Sequence, residues 1–222
     1  MIAPDPRLVT WENGTDLVIE LPLTVTPAAA WARLTDGERA GDWFAPFTVD
    51  GDSVSFDLGV SELGQTELVG EILSCEDEEH VLVEFVEFGV LGIQLLPVAV
   101  DAAAASADPS LGPEAATVAA ADETDGTVLV FTQSATDAEA ARQKAADFGP
   151  MWDTHLRMFA RSLGVEAPEA DDDDLLRTYA DLELEVDDAA EDDLGDPDLD
   201  DLGTAEPEDA RVGEPHRGTE SR

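Results

Sequence analysis

The feature that most limits what this chain can fold into is a single long helical pattern, Asp137 to Leu163, placed after a succession of strand-like segments. Within it Phe148, Trp152, His155, Leu156, Phe159 and Leu163 recur at spacings of three and four, which puts them on one face of a helix. Such a stripe must be buried against another layer, and the segments before it supply strands rather than helices. Gly164 follows at the position where a left-handed residue closes a helix. The expectation is an α+β domain in which one long helix lies on a sheet.

The strands are read from their period. Leu17 to Val25 is β-branched and alternating, and Pro22 within it suggests an edge position or a bulge. Thr26-Pro27 then offers a cap and a first-turn proline ahead of Ala28 to Leu34, a short helix, and Asp36 to Phe44 reads as a second helical turn that stops before Pro46. From Thr48 the period becomes two, with Val49, Val54, Phe56 and Leu58 around the turn Asp50-Gly51-Asp52. Gln65 to Ser74 and His80 to Phe88 read as strands joined by Glu76-Asp77-Glu78-Glu79. In the second, Val81, Val83 and Phe85 form the expected inner face, because Glu84 on the other face needs water. Thr117 to Ala121 and Thr127 to Ser134 read as a last hairpin through Thr124-Asp125-Gly126.

Composition divides the chain. Residues 1–14 read as an N-terminal segment, 15–164 as the domain with an Ala-rich loop insertion at about 101–114, and 165–222 as an acidic, mostly disordered tail. One stretch of the tail stands apart, a short helical pattern over 172–187. There Leu175, Tyr179, Leu182 and Val186 share a helical face that would dock on the domain or on a partner protein. Leu182, Leu184 and Val186 also alternate with acids, which leaves a short added strand open.

Charge excludes several partners. Asp and Glu number 52 against 11 Lys and Arg, a formal net charge of −41. The acidic excess is 29 − 7 = 22 up to Gly164 and 23 − 4 = 19 beyond it, so it is not confined to the tail. Nucleic acid and anionic membrane surfaces would both be repelled. A high acidic content of this kind also suits a salt-adapted host. Cys75 is the lone cysteine and excludes an intramolecular disulfide, and Met1 to Pro6 lacks the basic and apolar regions of a signal peptide. The longest apolar stretch, Phe88 to Val100, is too short to span a bilayer. The chain therefore reads as cytoplasmic.

No catalytic machinery is legible. Cys75, His80, His155 and His216 show no metal-ligand spacing, Gly59, Gly64 and Gly70 do not form a phosphate loop, and no nucleophile elbow is present. No metal, nucleotide or other cofactor is expected. The aromatic residues Trp43, Phe44, Phe47, Phe56, Phe85, Phe131, Trp152 and Phe159, with His155 on the inward stripe, are the candidates to line a ligand cavity, although a sheet-and-helix core would use the same residues.

The order of elements is that of a helix-grip fold, a curved antiparallel sheet wrapped around a long C-terminal helix, with two short helices after the first strand. Val25-Thr26-Pro27-Ala28-Ala29-Ala30-Trp31-Ala32-Arg33-Leu34-Thr35-Asp36 and Trp43-Phe44-Ala45-Pro46 resemble the opening of bacterial proteins similar to the activator of heat-shock protein 90 ATPase. Phe148 to Leu156, running on to Leu163, resembles the terminal helix of that family, which belongs to the START and polyketide-cyclase-like superfamily, SRPBCC. The resemblance covers about residues 15–164. It implies a cavity between sheet and helix that holds an apolar ligand, with no shared catalytic residues. The reading is non-enzymatic binding of a hydrophobic small molecule or of a partner protein. Two alternatives stand beside it: a cyclase- or hydratase-type enzyme using His155 with a carboxylate, and a co-chaperone-like interaction module.

Overall fold

A computed structural model of the chain describes residues 2–61, 64–98 and 126–186. Among these residues nine strands, β1 (Asp5–Trp11), β2 (Gly14–Leu23), β3 (Phe47–Asp50), β4 (Ser53–Ser61), β5 (Gly64–Glu76), β6 (His80–Phe85), β7 (Gly89–Val98), β8 (Gly126–Ala135) and β9 (Leu184–Val186), form one sheet. Its order is β3-β4-β5-β6-β7-β8-β2-β1-β9. Every neighbouring pair is antiparallel except β1 with β9. The helices are α1 (Pro27–Leu34), α2 (Ala138–Ser162) and α3 (Asp172–Ala180), with a 3-10 turn at Arg39–Asp42.

Local chemistry explains the helix ends. Thr26 accepts from the Ala29 N–H and Pro27 takes the first helical position of α1. Asp137 accepts from the Ala140 N–H at 2.9 Å, and that bond holds its carboxyl below the usual range. Gly164 has φ +78° where the chain leaves α2. Asp171 caps α3 through the N–H groups of Asp173 and Asp174. Pro22 is tolerated because β1 pairs with β2 only as far as Glu20, so at Pro22 the strand has a partner on one side alone.

Several expectations are corrected. Residues 5–11 are a strand paired with β2 through a tight hairpin, so the two short helices follow the second strand, and the second of them is a single 3-10 turn. The strand expected at 117–121, the Ala-rich insertion and the chain beyond Val186 lie outside the described residues. The observed partners of β8 are β7 and β2. The helical pattern over 172–187 divides: α3 ends at Ala180 and β9 adds a short parallel strand beside β1.

Residues 165–186 therefore pack on the domain, beyond the boundary that composition marks at 164. Val165, Ala167, Leu175 and Tyr179 are buried, Tyr179 completely so. Its hydroxyl donates to Asp153 Oδ2 at 3.1 Å, Asp153 Oδ1 accepts from Arg157 Nε at 2.5 Å, and Arg157 Nη1 donates to the Pro168 carbonyl at 3.0 Å. Burial, and then the Asp153 carboxylate, push the Tyr179 pKa upward, so the phenol stays protonated and remains a donor. The ring lies directly against Gly149: a Cβ built there would sit 2.1 Å from Tyr179 Cδ1. In an exposed helix, alanine for glycine gains about 1 kcal/mol. Here Gly149→Ala is expected to cost about 1–2 kcal/mol net, because overpacking against a fixed ring outweighs the helix gain. A lowered urea midpoint with faster proteolysis inside 165–186 is the expected readout, and an unchanged or raised midpoint would show that α3 is free to shift.

Candidate functional site

The concave side of the sheet and the inner face of α2 do not close on each other fully. Between them lies a cavity of about 290 Å³, near the lower end of the size range of small-molecule sites. Its floor is made by alternate residues of the strands, among them Phe56 on β4, Leu68 and Ile72 on β5, Val83 and Phe85 on β6, and Phe131 on β8. Trp31 and Leu34 of α1, and Trp43 and Phe44 after the 3-10 turn, close one side, while Trp152, His155 and Leu156 of α2 form the roof.

A register shift in the β5–β6 pair decides one wall residue. Ile72 pairs with Val83, but beyond the irregularity at Leu73 it is Cys75 that pairs with Val81, so Cys75 turns to the cavity side. Strict alternation along β5 points Ser74 there instead, so periodicity does not reveal Cys75 as a wall residue. Thr35, Val49 and Cys75 are the exposed members of the lining and mark where it meets solvent. Partial desolvation, and then the Asp77 carboxylate, raise the Cys75 thiol pKa.

Of the nine residues singled out from the sequence, eight line this cavity: Trp43, Phe44, Phe47, Phe56, Phe85, Phe131, Trp152 and His155. Phe159 does not; it is 1% exposed and packs edge-on behind Trp43 at 5.1 Å between ring centroids. Leu175 and Tyr179, candidates for docking a partner, are buried within this chain, and Leu182 is half-buried. Val186 pairs through its backbone with Thr10 in the sheet.

Two side chains are held in definite orientations. Trp152 donates from Nε1 to Gln133 Oε1 at 3.2 Å, and the fully buried Gln133 donates in turn to the Phe88 carbonyl at 3.0 Å. Phe131 and Phe88 each lie 5.2 Å from the indole, centroid to centroid. His155 Nδ1 is 2.7 Å from the Trp43 carbonyl, and its ring meets Phe44 edge to face at 5.0 Å. Among the described residues that line the cavity there is no Asp, Glu, Lys or Arg. Away from the cavity, side-chain ligand atoms of Glu76, Glu79 and His80 come within 4.8 Å of one another in the β5–β6 turn; the two carboxylates are exposed, and His80 Nε2 is hydrogen-bonded to Ser74 Oγ at 2.8 Å. That is an ordinary arrangement for an acidic turn.

A curved antiparallel sheet packed on one long helix, with an apolar cavity between them, is a helix-grip arrangement. Among solved structures the chain is similar to CalU16 from Micromonospora echinospora, with 14% identity, a TM-score of 0.53, and 81% of this chain and 94% of that one covered in the solution structure. It is also similar to the protein encoded by gene BPP1335 of Bordetella parapertussis, at 15% identity and a TM-score of 0.53, covering 83% and 94% of the two chains. A conserved protein of unknown function from Enterococcus faecalis, EF2215, matches at 15% identity and a TM-score of 0.52, covering 79% and 87%. No protein-family profile and no curated protein sequence matches the chain.

Proposed function

We propose that the protein binds an uncharged, largely apolar small molecule in the cavity beneath α2 and does not transform it. The observation that carries this reading is the lining itself: aromatic and aliphatic walls with no ionisable carboxylate, ammonium or guanidinium to pair with a charged ligand. A charged group placed there would lose its hydration without a partner. The net charge of −41 further disfavours anionic ligands.

The cyclase or hydratase alternative needs His155 oriented by a carboxylate. The imidazole instead engages the Trp43 carbonyl, and among the described lining residues the other titratable group is the Cys75 thiol at the exposed rim, not a carboxylate. The co-chaperone-like alternative would bind through the outer sheet face and an apolar patch at 175–186; Leu175 and Tyr179 of that patch are packed inside the domain. Residence in the cytoplasm is part of the same proposal. Among the described residues no helix is long and apolar enough to cross a membrane.

The test is native mass spectrometry of the full chain purified from its own host, paired with thiol kinetics on Cys75. A retained small molecule is the expected result. Adding a neutral apolar dye such as Nile red to ligand-free protein is expected to slow the modification of Cys75 at least threefold, because an occupant of the cavity shields its rim. A chain that retains no ligand and shows unchanged Cys75 kinetics at saturating dye would sink the reading.

A further inference from the structure

The chemistry of one ring atom narrows the ligand further, on the basis of the cavity-binding reading above. The partner of His155 Nδ1 is a backbone carbonyl, which only accepts, so Nδ1 must carry the hydrogen. In the neutral ring the other nitrogen, Nε2, is then an acceptor. Among the described residues Nε2 has no hydrogen-bond partner. It is also not sealed away: His155 is only partly buried, and among the described residues the buried side-chain nitrogens left without partners are Arg33 Nη1 and Trp43 Nε1. The other fixed heteroatom of the roof, Trp152 Nε1, is already engaged by Gln133.

We propose that the ligand carries a hydroxyl on an otherwise apolar ring system, and that His155 Nε2 accepts from that hydroxyl and sets the ligand's orientation under α2. An apolar ligand lacking a donor would press carbon against a desolvated acceptor and lose the hydrogen bond that water had made to it. A carboxylate has no proton to donate at neutral pH, and an ammonium finds no counter-charge in the lining. A phenol or alcohol meets both demands, offering a donor and no charge. Trp43 acts as a positioning residue here through its carbonyl, which locks the tautomer; Phe44, edge to face with the imidazole, holds the ring plane.

The experiment uses the full chain and two probes of similar shape, 1-naphthol and 1-methoxynaphthalene, each titrated against bound Nile red. The naphthol is expected to bind about tenfold more tightly, the weight of one hydrogen bond. His155→Phe keeps an aromatic ring against Phe44 and is expected to bind both probes with equal affinity, while His155→Gln, whose amide oxygen accepts, is expected to keep part of the preference. Equal affinities in the unmodified protein, or a preference that survives His155→Phe with dye binding intact, would overturn the assignment of Nε2 while leaving cavity binding in place. Failure of the unmodified protein to bind the dye or either probe would overturn cavity binding itself, and this inference with it.

Discussion

A chain ended at Gly164 is expected to melt about 6–20 °C below the full chain, whereas one ended at Asp187 is expected to melt with it. Residues Met1–Asp187 make one compact unit, and the segment after α2 is part of it. Removing that segment uncovers the groove at Gly149 that Tyr179 fills and strips the Tyr179 hydroxyl from Asp153 and the Pro168 carbonyl from Arg157. Asp153 and Arg157 are 2% and 9% exposed, and a buried charged pair that loses its supporting hydrogen bonds is costly. A loss of about 3–5 kcal/mol is reasonable for such a disruption and is large against a total stability of about 5–15 kcal/mol. At about 2–4 °C per kcal/mol for a chain of this size, the shift in Tm follows. Calorimetry on the three chains decides it, and a version ending at Gly164 that melts within two degrees of the full chain would show that α3 and β9 rest on the domain without stabilising it.

The same segment shows where sequence reasoning stops. Its apolar residues are legible at Leu175, Tyr179, Leu182 and Val186, but the surrounding acids lower the average until the whole reads as solvated tail. What overrides composition is a long-range match between Tyr179 and the bare backbone of Gly149, which no window of sequence contains. The long helix, by contrast, is local in every part: the Asp137 cap, the stripe from Phe148 to Leu163 and the Gly164 stop all lie within one segment, and the structure places them accordingly. The alternation of Val81, Val83 and Phe85 likewise finds the inner face of β6.

Other misses have equally physical causes. Residues 1–14 read as a plain N-terminal segment, yet Asn13-Gly14 is a hairpin signal, and it joins β1 to β2. Cys75 faces the cavity only because one extra residue shifts the register of β5, a change that periodicity cannot report. For His155 the stripe gives the inward direction. Its tautomer depends on a carbonyl 112 residues earlier in the chain, and so does its place in the ligand's chemistry.

Filling the cavity separates a binding site from a packing defect more sharply than emptying it. Val83 lies on the cavity face of β6, and Val83→Trp is expected to reduce Nile red affinity at least tenfold while leaving stability unchanged or raised by about 0.5–2 kcal/mol. The sign follows from the void: new ring atoms enter space where the walls have no neighbours, so they gain dispersion contacts and remove accessible apolar surface. Trp152→Ala should move the other way, costing about 3–5 kcal/mol, since it enlarges the void and leaves the buried Gln133 Oε1 without its donor. A natural core selected only for stability has no reason to leave that space open beneath Trp152 and His155. Urea unfolding and dye titration on the two variants therefore read one question from opposite sides. If Val83→Trp destabilises the protein by more than about 1 kcal/mol, the extra ring meets packed atoms. The open space beneath α2 is then too small or too rigidly shaped to admit a ligand, and the binding reading falls with it.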